Sequence, residues 1–230
     1  YGEQGGVPSG TEQYYSLDYA NVHVVSLDSQ LSNRDPAQRQ AMADWLVADL
    51  SANDRDWTVV VFHHPPYSKG ENHDSDVEDA EIWMRETFTP IFDDYGVDVV
   101  YNGHSHSYER SYYMTGHTSL STTFDLATHA ELDGNGDGAS GQGNETYRQV
   151  SRSSGADDKV VYTVAGSSGK ADELNPCVPP RTLGCTPPDW LQHPAHFVSM
   201  PTKGSFLDAS TKELTDRKST RLNSSHSLPS

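Results

Sequence analysis

The residues best placed to do chemistry are histidines in two short stretches. In Tyr101-Asn-Gly-His-Ser-His-Ser-Tyr-Glu-Arg110, His104 and His106 follow a glycine and stand one residue apart. In an extended backbone, residues i and i+2 point to the same face, roughly 6.6 Å apart. Imidazoles so spaced can reach inward and flank a pair of metal ions about 3.5–4 Å apart. The plainer alternative is two loop histidines facing water. The other stretch, Trp57-Thr-Val-Val-Val-Phe62, is an apolar, β-branched run that reads as a strand buried on both faces. It ends in His63-His64-Pro65-Pro66-Tyr67, whose prolines turn the chain out of the sheet. Two strand-end histidine motifs, separated by one helix, form a repeated pattern that solvent exposure does not explain. Loops at the carboxyl ends of strands are where α/β sheets carry their sites.

The elements that must position these histidines follow from pattern. Gln13–Tyr19 and Val22–Asp28 read as two strands joined at Ala20-Asn21, a hairpin signal. His23 falls inside the second strand and reads as a packed or rim residue. Asp35-Pro36 gives a helix cap followed by proline in the first turn. Met42, Trp45, Leu46 and Leu50 then recur at helical spacing, so this helix covers a sheet face and Trp45 belongs to the core. Glu78 to Tyr95 reads as a second helix with an apolar stripe of Ala80, Met84, Phe88 and Ile91, a kink expected at Pro90 and a stop at Gly96. Gly96–Val100, Tyr108–Tyr113, Lys159–Ala165, His196–Met200 and Gly204–Asp208 complete the strands. Residues 118–158, rich in Gly, Ser, Thr and Asp, read as a flexible surface insertion. Within it, Asp133-Gly-Asn-Gly-Asp-Gly138 fits the opening of a calcium loop, but its twelfth position is Asn144 in place of glutamate, so a glycine-rich turn is the stronger reading.

Composition narrows the partners. The 230 residues carry 33 acidic and 16 basic side chains, a formal net charge of −17. That argues against nucleic acid or an anionic membrane as partner, and no apolar run approaches the ~20 residues of a membrane span. The two cysteines, Cys177 and Cys185, lie in a proline-rich turning loop. A local disulfide is the favoured reading and implies an oxidising, secreted or periplasmic setting; a two-cysteine metal site is the weaker one, since structural zinc takes four ligands.

Phe62-His-His-Pro-Pro-Tyr-Ser68 and Asn102-Gly-His-Ser-His-Ser-Tyr-Glu-Arg110 resemble the last two metal motifs of calcineurin-like metallophosphoesterases. The Gly-His-x-His-x-Tyr-Glu-Arg form is most similar to the purple acid phosphatase branch. The resemblance runs from about Tyr14 to about Asp208. It implies an α/β fold, part of a sandwich of two mixed sheets flanked by helices. It also implies hydrolysis of small phosphate monoesters at two metal ions (iron, zinc or manganese) bridged by an aspartate. By the same resemblance His63 and His104 bind one ion and His106 the other. His64 is packed behind them, and His73 faces the phosphate or protonates the leaving oxygen, an exposed loop histidine being the alternative. Tyr108 and Glu109 support the site, and Arg110 is a weaker candidate for phosphate contact.

The departures from that pattern matter as much. The family's first three motifs, which include the bridging aspartate, have no counterpart before Tyr14, and Asp18 and Asp28 do not match them. Residues 1–215 therefore read as the C-terminal part of a catalytic domain, expected to show little activity alone. Residues 216–230 resemble a translated sequencing adapter more than a native tail. A phosphodiesterase or nucleotidase remains open. So does a non-catalytic module that uses the histidines for one ion.

Overall fold

β1 (Tyr15–Tyr19) and β2 (Val22–Ser26) form the expected antiparallel hairpin, with Ala20 in the left-handed region at φ 54°. The computed structural model describes residues 5–69, 73–132, 134–136, 146–155, 158–166, 193–200, 205–207 and 214–216. β2 then leads through α1 (Ser29–Arg34), a short helix the periodicity does not announce, into α2 (Pro36–Ala52). Asp35 caps α2 as its sequence requires. Its carboxylate accepts from the backbone N–H of Ala37 at 2.9 Å and Gln38 at 3.3 Å, and Pro36 takes the first turn. β3 (Trp57–Val61), α3 (Asp79–Asp94) and β4 (Val99–Asn102) follow. α3 runs through Pro90 and stops at Gly96, whose φ of 61° lets Val97 N–H close back onto the Phe92 carbonyl at 2.9 Å.

β5 (Tyr108–Ser111), α4 (Leu126–His129), β6 (Val161–Ala165) and β7 (His196–Met200) complete a seven-stranded mixed sheet of order β1-β2-β3-β4-β6-β5-β7. β2, β3, β4 and β6 run parallel, so their carboxyl ends leave the sheet along one rim. β8 (Ser205–Leu207) and β9 (Leu214–Asp216) pair as a separate antiparallel ribbon. The α/β class and the mixed sheet agree with the sequence reading.

The core lies between one face of the sheet and two helices. Met42, Leu46 and Leu50 of α2 and Met84, Phe88 and Phe92 of α3 pack with Val25, Val60, Val100 and Tyr162. Each such side chain stabilises by about 1.5–3 kcal/mol through burial. Trp45 joins them as expected, packing on Tyr14 and donating its indole N–H to the Val7 carbonyl at 2.8 Å. One expectation is corrected. β3 alternates, with Thr58 and Val60 buried but Trp57, Val59 and Val61 half-buried. Both long helices among the described residues pack into the core on the Val60 side, and the β-branched run reflects strand propensity more than burial on two faces.

Described parts of the 118–158 stretch are tied back to the sheet. Met114 bridges to Ala130 and Val160, the Tyr147 hydroxyl donates to the Ser111 carbonyl at 2.6 Å, and Gln149 donates to the Asp98 carbonyl at 2.7 Å. Cys177 and Cys185, and residues 133, 137 and 138 of the Asp133–Gly138 turn, lie outside the described residues.

Candidate metal centre

The rim formed by the parallel strands collects the chemistry. β3 ends into His63 and His64, and β4 ends into Gly103 and His104. The β2 exit leads to Ser29, and β6 runs out at Ala165 into Gly166. Close approach is built into two glycines. A Cβ on Gly103 would stand 3.2 Å from His63 Nδ1, and one on Gly166 would stand 1.9 Å from the Ser105 carbonyl oxygen. His104 itself has φ 61°. A non-glycine residue there costs of order 1 kcal/mol or more, and such outliers concentrate at functional sites.

His63 Nε2 and His104 Nδ1 meet at 3.2 Å although 41 residues apart in sequence. The ring of His64 lies 4.4 Å from that of His104, and the ring of His73 lies 3.7 Å from it. The ring of His106 lies 6.2 Å from that of His73. Thus His63, His64, His73, His104 and His106 share one rim. Arg110 is placed elsewhere: its guanidinium lies over the rings of Phe197 at 4.9 Å and Tyr147 at 5.5 Å.

The supporting shell is polar and buried. His64 Nδ1 pairs with the Ser29 hydroxyl at 2.7 Å, and the same hydroxyl accepts the His64 backbone N–H at 3.1 Å. Glu109 is fully buried beneath the site. It accepts from the hydroxyls of Ser68 at 2.8 Å and Ser107 at 2.7 Å and pairs with His196 at 2.9 Å. It therefore fastens the loop after β3, the histidine loop and β7 to one carboxylate. Tyr108 is half-buried beside it, in register with Ala165 and Met200.

The residue that sequence reasoning did not single out is Glu78. It stands at the N-cap of α3, yet its side chain makes no capping bond. Its two oxygens instead hold His73 Nδ1 at 2.8 Å and His104 Nε2 at 2.9 Å. Nothing in the local spacing announces this, because a glutamate at a helix start has an ordinary structural explanation.

Electrostatics favour lone pairs on the imidazoles of His63, His64 and His104. Burial, followed by the charges of His73 and His106, holds His63 below its ordinary pKa. Burial likewise pushes His64 down to about 4 and outweighs the Glu78 hydrogen bond at His104. Burial would raise Glu78, but its bonds to His104 and His73 hold it lowered and ionised. Two sets of ligand atoms, His63/His64/His104 and His73/Glu78/His104, each lie within 4.8 Å of one another. Neutral imidazoles with one carboxylate are the donor set of zinc and other borderline transition metals, so these residues fit the metal ions that the family implies.

The chain is similar to known proteins over part of its length. Residues 3–108 match the model of the calcineurin-like phosphoesterase family. Purple acid phosphatase 22 of Arabidopsis thaliana is 39% identical over 105 residues, covering 44% of this chain and 23% of that protein. Purple acid phosphatase 18 of the same plant is 35% identical over 114 residues, covering 48% and 24%. A solved purple acid phosphatase from yellow lupin seeds aligns over 70% of this chain and 24% of its own, at 18% identity and a TM-score of 0.44. The chain thus spans about a quarter of the length of the curated relatives it matches. Residues 3–108 are thus similar to the calcineurin-like phosphoesterase family, and purple acid phosphatases are among the proteins the chain resembles.

Proposed function

We propose that this chain supplies the histidine side of a phosphomonoesterase centre. In this reading His63 and His104 hold one metal ion and His106 helps to hold a second, with iron, zinc or manganese as the candidates. The observation that carries it is the meeting of His63 Nε2 and His104 Nδ1 at 3.2 Å, from the ends of two neighbouring parallel strands. Bound there, the ions would neutralise phosphoryl oxygens and supply a nucleophile at moderate pH.

The chain's own groups do the rest. Ser29 fixes the ring of His64, and Glu109 anchors the loop that carries His104 and His106. His73, on the same rim, is placed to steady a phosphate or to hand a proton to the leaving oxygen. Arg110, stacked on Phe197 and Tyr147, supports the β5–β7 edge in this reading. The substrate is a small phosphate ester. The net charge of −17 disfavours polyanionic partners such as nucleic acid.

A bridging aspartate is missing from the two ligand sets among the described residues. Turnover by this chain alone should therefore be slow. The test is hydrolysis of p-nitrophenyl phosphate with added zinc, manganese or iron. We expect slow, metal-dependent release that disappears in His63→Ala and in His104→Ala. Turnover that ignores both substitutions, or that needs no metal, would overturn the reading.

A further inference from the structure

A second group of histidines shares no residue with the strand-end rim. We propose that His117, His193 and His196 enclose one structural water molecule, which accepts from His193 Nε2 and donates to His117 Nδ1 and to His196 Nε2. This site does not rest on the phosphoesterase reading.

The three rings are buried, at 2%, 1% and 9% exposure. They are also neighbours: the ring of His193 lies 6.4 Å from that of His117, 5.4 Å from that of His196 and 5.5 Å from that of Tyr67. Yet His117 Nδ1, His193 Nε2 and His196 Nε2 have no hydrogen-bond partner among the described residues. Leaving one buried polar atom unpaired costs about 1–3 kcal/mol. Three such atoms in one cluster point to a shared partner that satisfies them together.

The bond on the opposite nitrogen fixes what each unpaired atom offers. His196 Nδ1 meets the Glu109 carboxylate at 2.9 Å, and Glu109 is held ionised, so the proton sits on Nδ1. The neutral ring then carries a lone pair on Nε2. His117 Nε2 lies 3.2 Å from the Leu120 carbonyl and must donate to it, which leaves a lone pair on Nδ1. His193 Nδ1 accepts the Ala195 N–H at 3.1 Å, so its hydrogen is on Nε2. Burial, followed by neighbouring positive charge, keeps His117 and His193 neutral, His117 at about 4. The cluster therefore presents two acceptors and one donor. Water offers the complement, two donors and an acceptor, and three bonds are what a buried water usually makes.

Spacing and tautomer argue against a metal ion here. Imidazole nitrogens that bond one water at about 2.9 Å stand roughly 4.7 Å apart, with ring centres roughly 6–7 Å apart. Around a zinc-type ion the ring centres would be roughly 5 Å apart. The 6.4 Å spacing matches the water, and the 5.4 Å spacing falls between the two. There the tautomer decides, since a nitrogen that carries hydrogen cannot ligate. The two sets of three ligand atoms within 4.8 Å of one another include none of these histidines. The water would tie the segment after His117 to His196 and so to Glu109, the carboxylate that holds Ser68 and Ser107. It acts as a positioning element, joining three stretches distant in sequence.

The test is NMR of the purified chain. Long-range 15N correlations should show hydrogen on Nε2 of His193 and of His117 and on Nδ1 of His196. Water 17O relaxation dispersion should include a long-lived component that His117→Leu reduces by one molecule, and the water signal should give an Overhauser effect to the ring protons of His193. Opposite tautomers, a doubly protonated ring among the three, or no Overhauser effect in the unaltered protein would each overturn the proposal. So would zinc(II) that shifts the ring nitrogens of His117 and His196, because it would make the cluster a metal site. The tautomer and Overhauser measurements use the unaltered chain, so they hold even if His117→Leu fails to fold. None of these readouts needs turnover, which separates failure of this site from failure of the phosphatase reading.

Discussion

At the scale of single residues, His23 shows how strongly context decides what a histidine does. It is buried at 1% exposure toward the amino end of the parallel strands, away from the histidine rim. Its Nδ1 meets Asp18 at 2.7 Å and its Nε2 meets Asp49 at 2.8 Å. Only the imidazolium can donate at both nitrogens. Burial would lower its pKa, but the hydrogen bonds and charges of Asp49 and Asp18 prevail and raise it. Asp49 is lowered in turn: burial opposes this, and His23, the Val7 N–H and Ser16 outweigh it. The raised His23 contributes stability that is fully present below its unfolded pKa near 6.5 and is lost as pH rises through the folded value. The lowered Asp49 contributes above about 3.8 and loses its share as pH falls through its folded value. His23→Gln should therefore cost about 3 kcal/mol near pH 5.5, since it strands a buried carboxylate, and clearly less near pH 9. Urea unfolding at the two pH values checks this; an equal cost at both would show that the ring's charge plays no part.

At the scale of elements, the histidine rim depends on how closely strand exits approach one another. Gly166, at the end of β6, sits where any Cβ would collide with the Ser105 carbonyl at 1.9 Å and its carbon at 2.8 Å. Ser105 lies between His104 and His106, so the collision would be relieved by moving the loop that carries both. Gly166→Ala should lower stability by about 1–3 kcal/mol, the range for overpacking, and should weaken the metal-dependent hydrolysis of p-nitrophenyl phosphate as well. Thermal unfolding and that assay together check this. A variant of ordinary stability and unchanged hydrolysis would show that the loop yields without disturbing the histidines. Glu109 works in the opposite sense, drawing Ser68, Ser107 and His196 onto one carboxylate. Burial alone would raise its pKa, but the His196 pair and the serine hydroxyls keep it lowered and charged.

At the scale of the whole molecule, charge is the dominant fact. A net −17 on 230 residues places like charges within a Debye length over much of the surface. Such self-repulsion acts against the compact state. Raising sodium chloride from 0.05 to 0.5 M should therefore stabilise the fold by about 1 kcal/mol, or roughly 2–4 °C in thermal midpoint at this size. A midpoint that falls with salt would mean that specific ion pairs, such as Lys69 with Asp74 and Asp76, outweigh the bulk repulsion.

Much of this was legible in the sequence because local physics settled it. Asp35-Pro36 fixed a helix start through capping, Gly96 fixed a stop through its left-handed backbone, and apolar runs before His63 and His104 marked strands whose ends carry these histidines. The same periodicity kept Trp45 in the core and His23 out of the metal set. What required the tertiary structure was every relation between distant segments. Glu78 looked like a helix-start acid because its partners, His73 and His104, lie five and 26 positions away. Gly166 follows a strand end along the chain, and Ser105 meets it only when β6 returns beside β4. Spacing along the chain determines which residues share a face of one element. Which faces then meet depends on strand order and register, and those are set by packing the whole sheet against its helices.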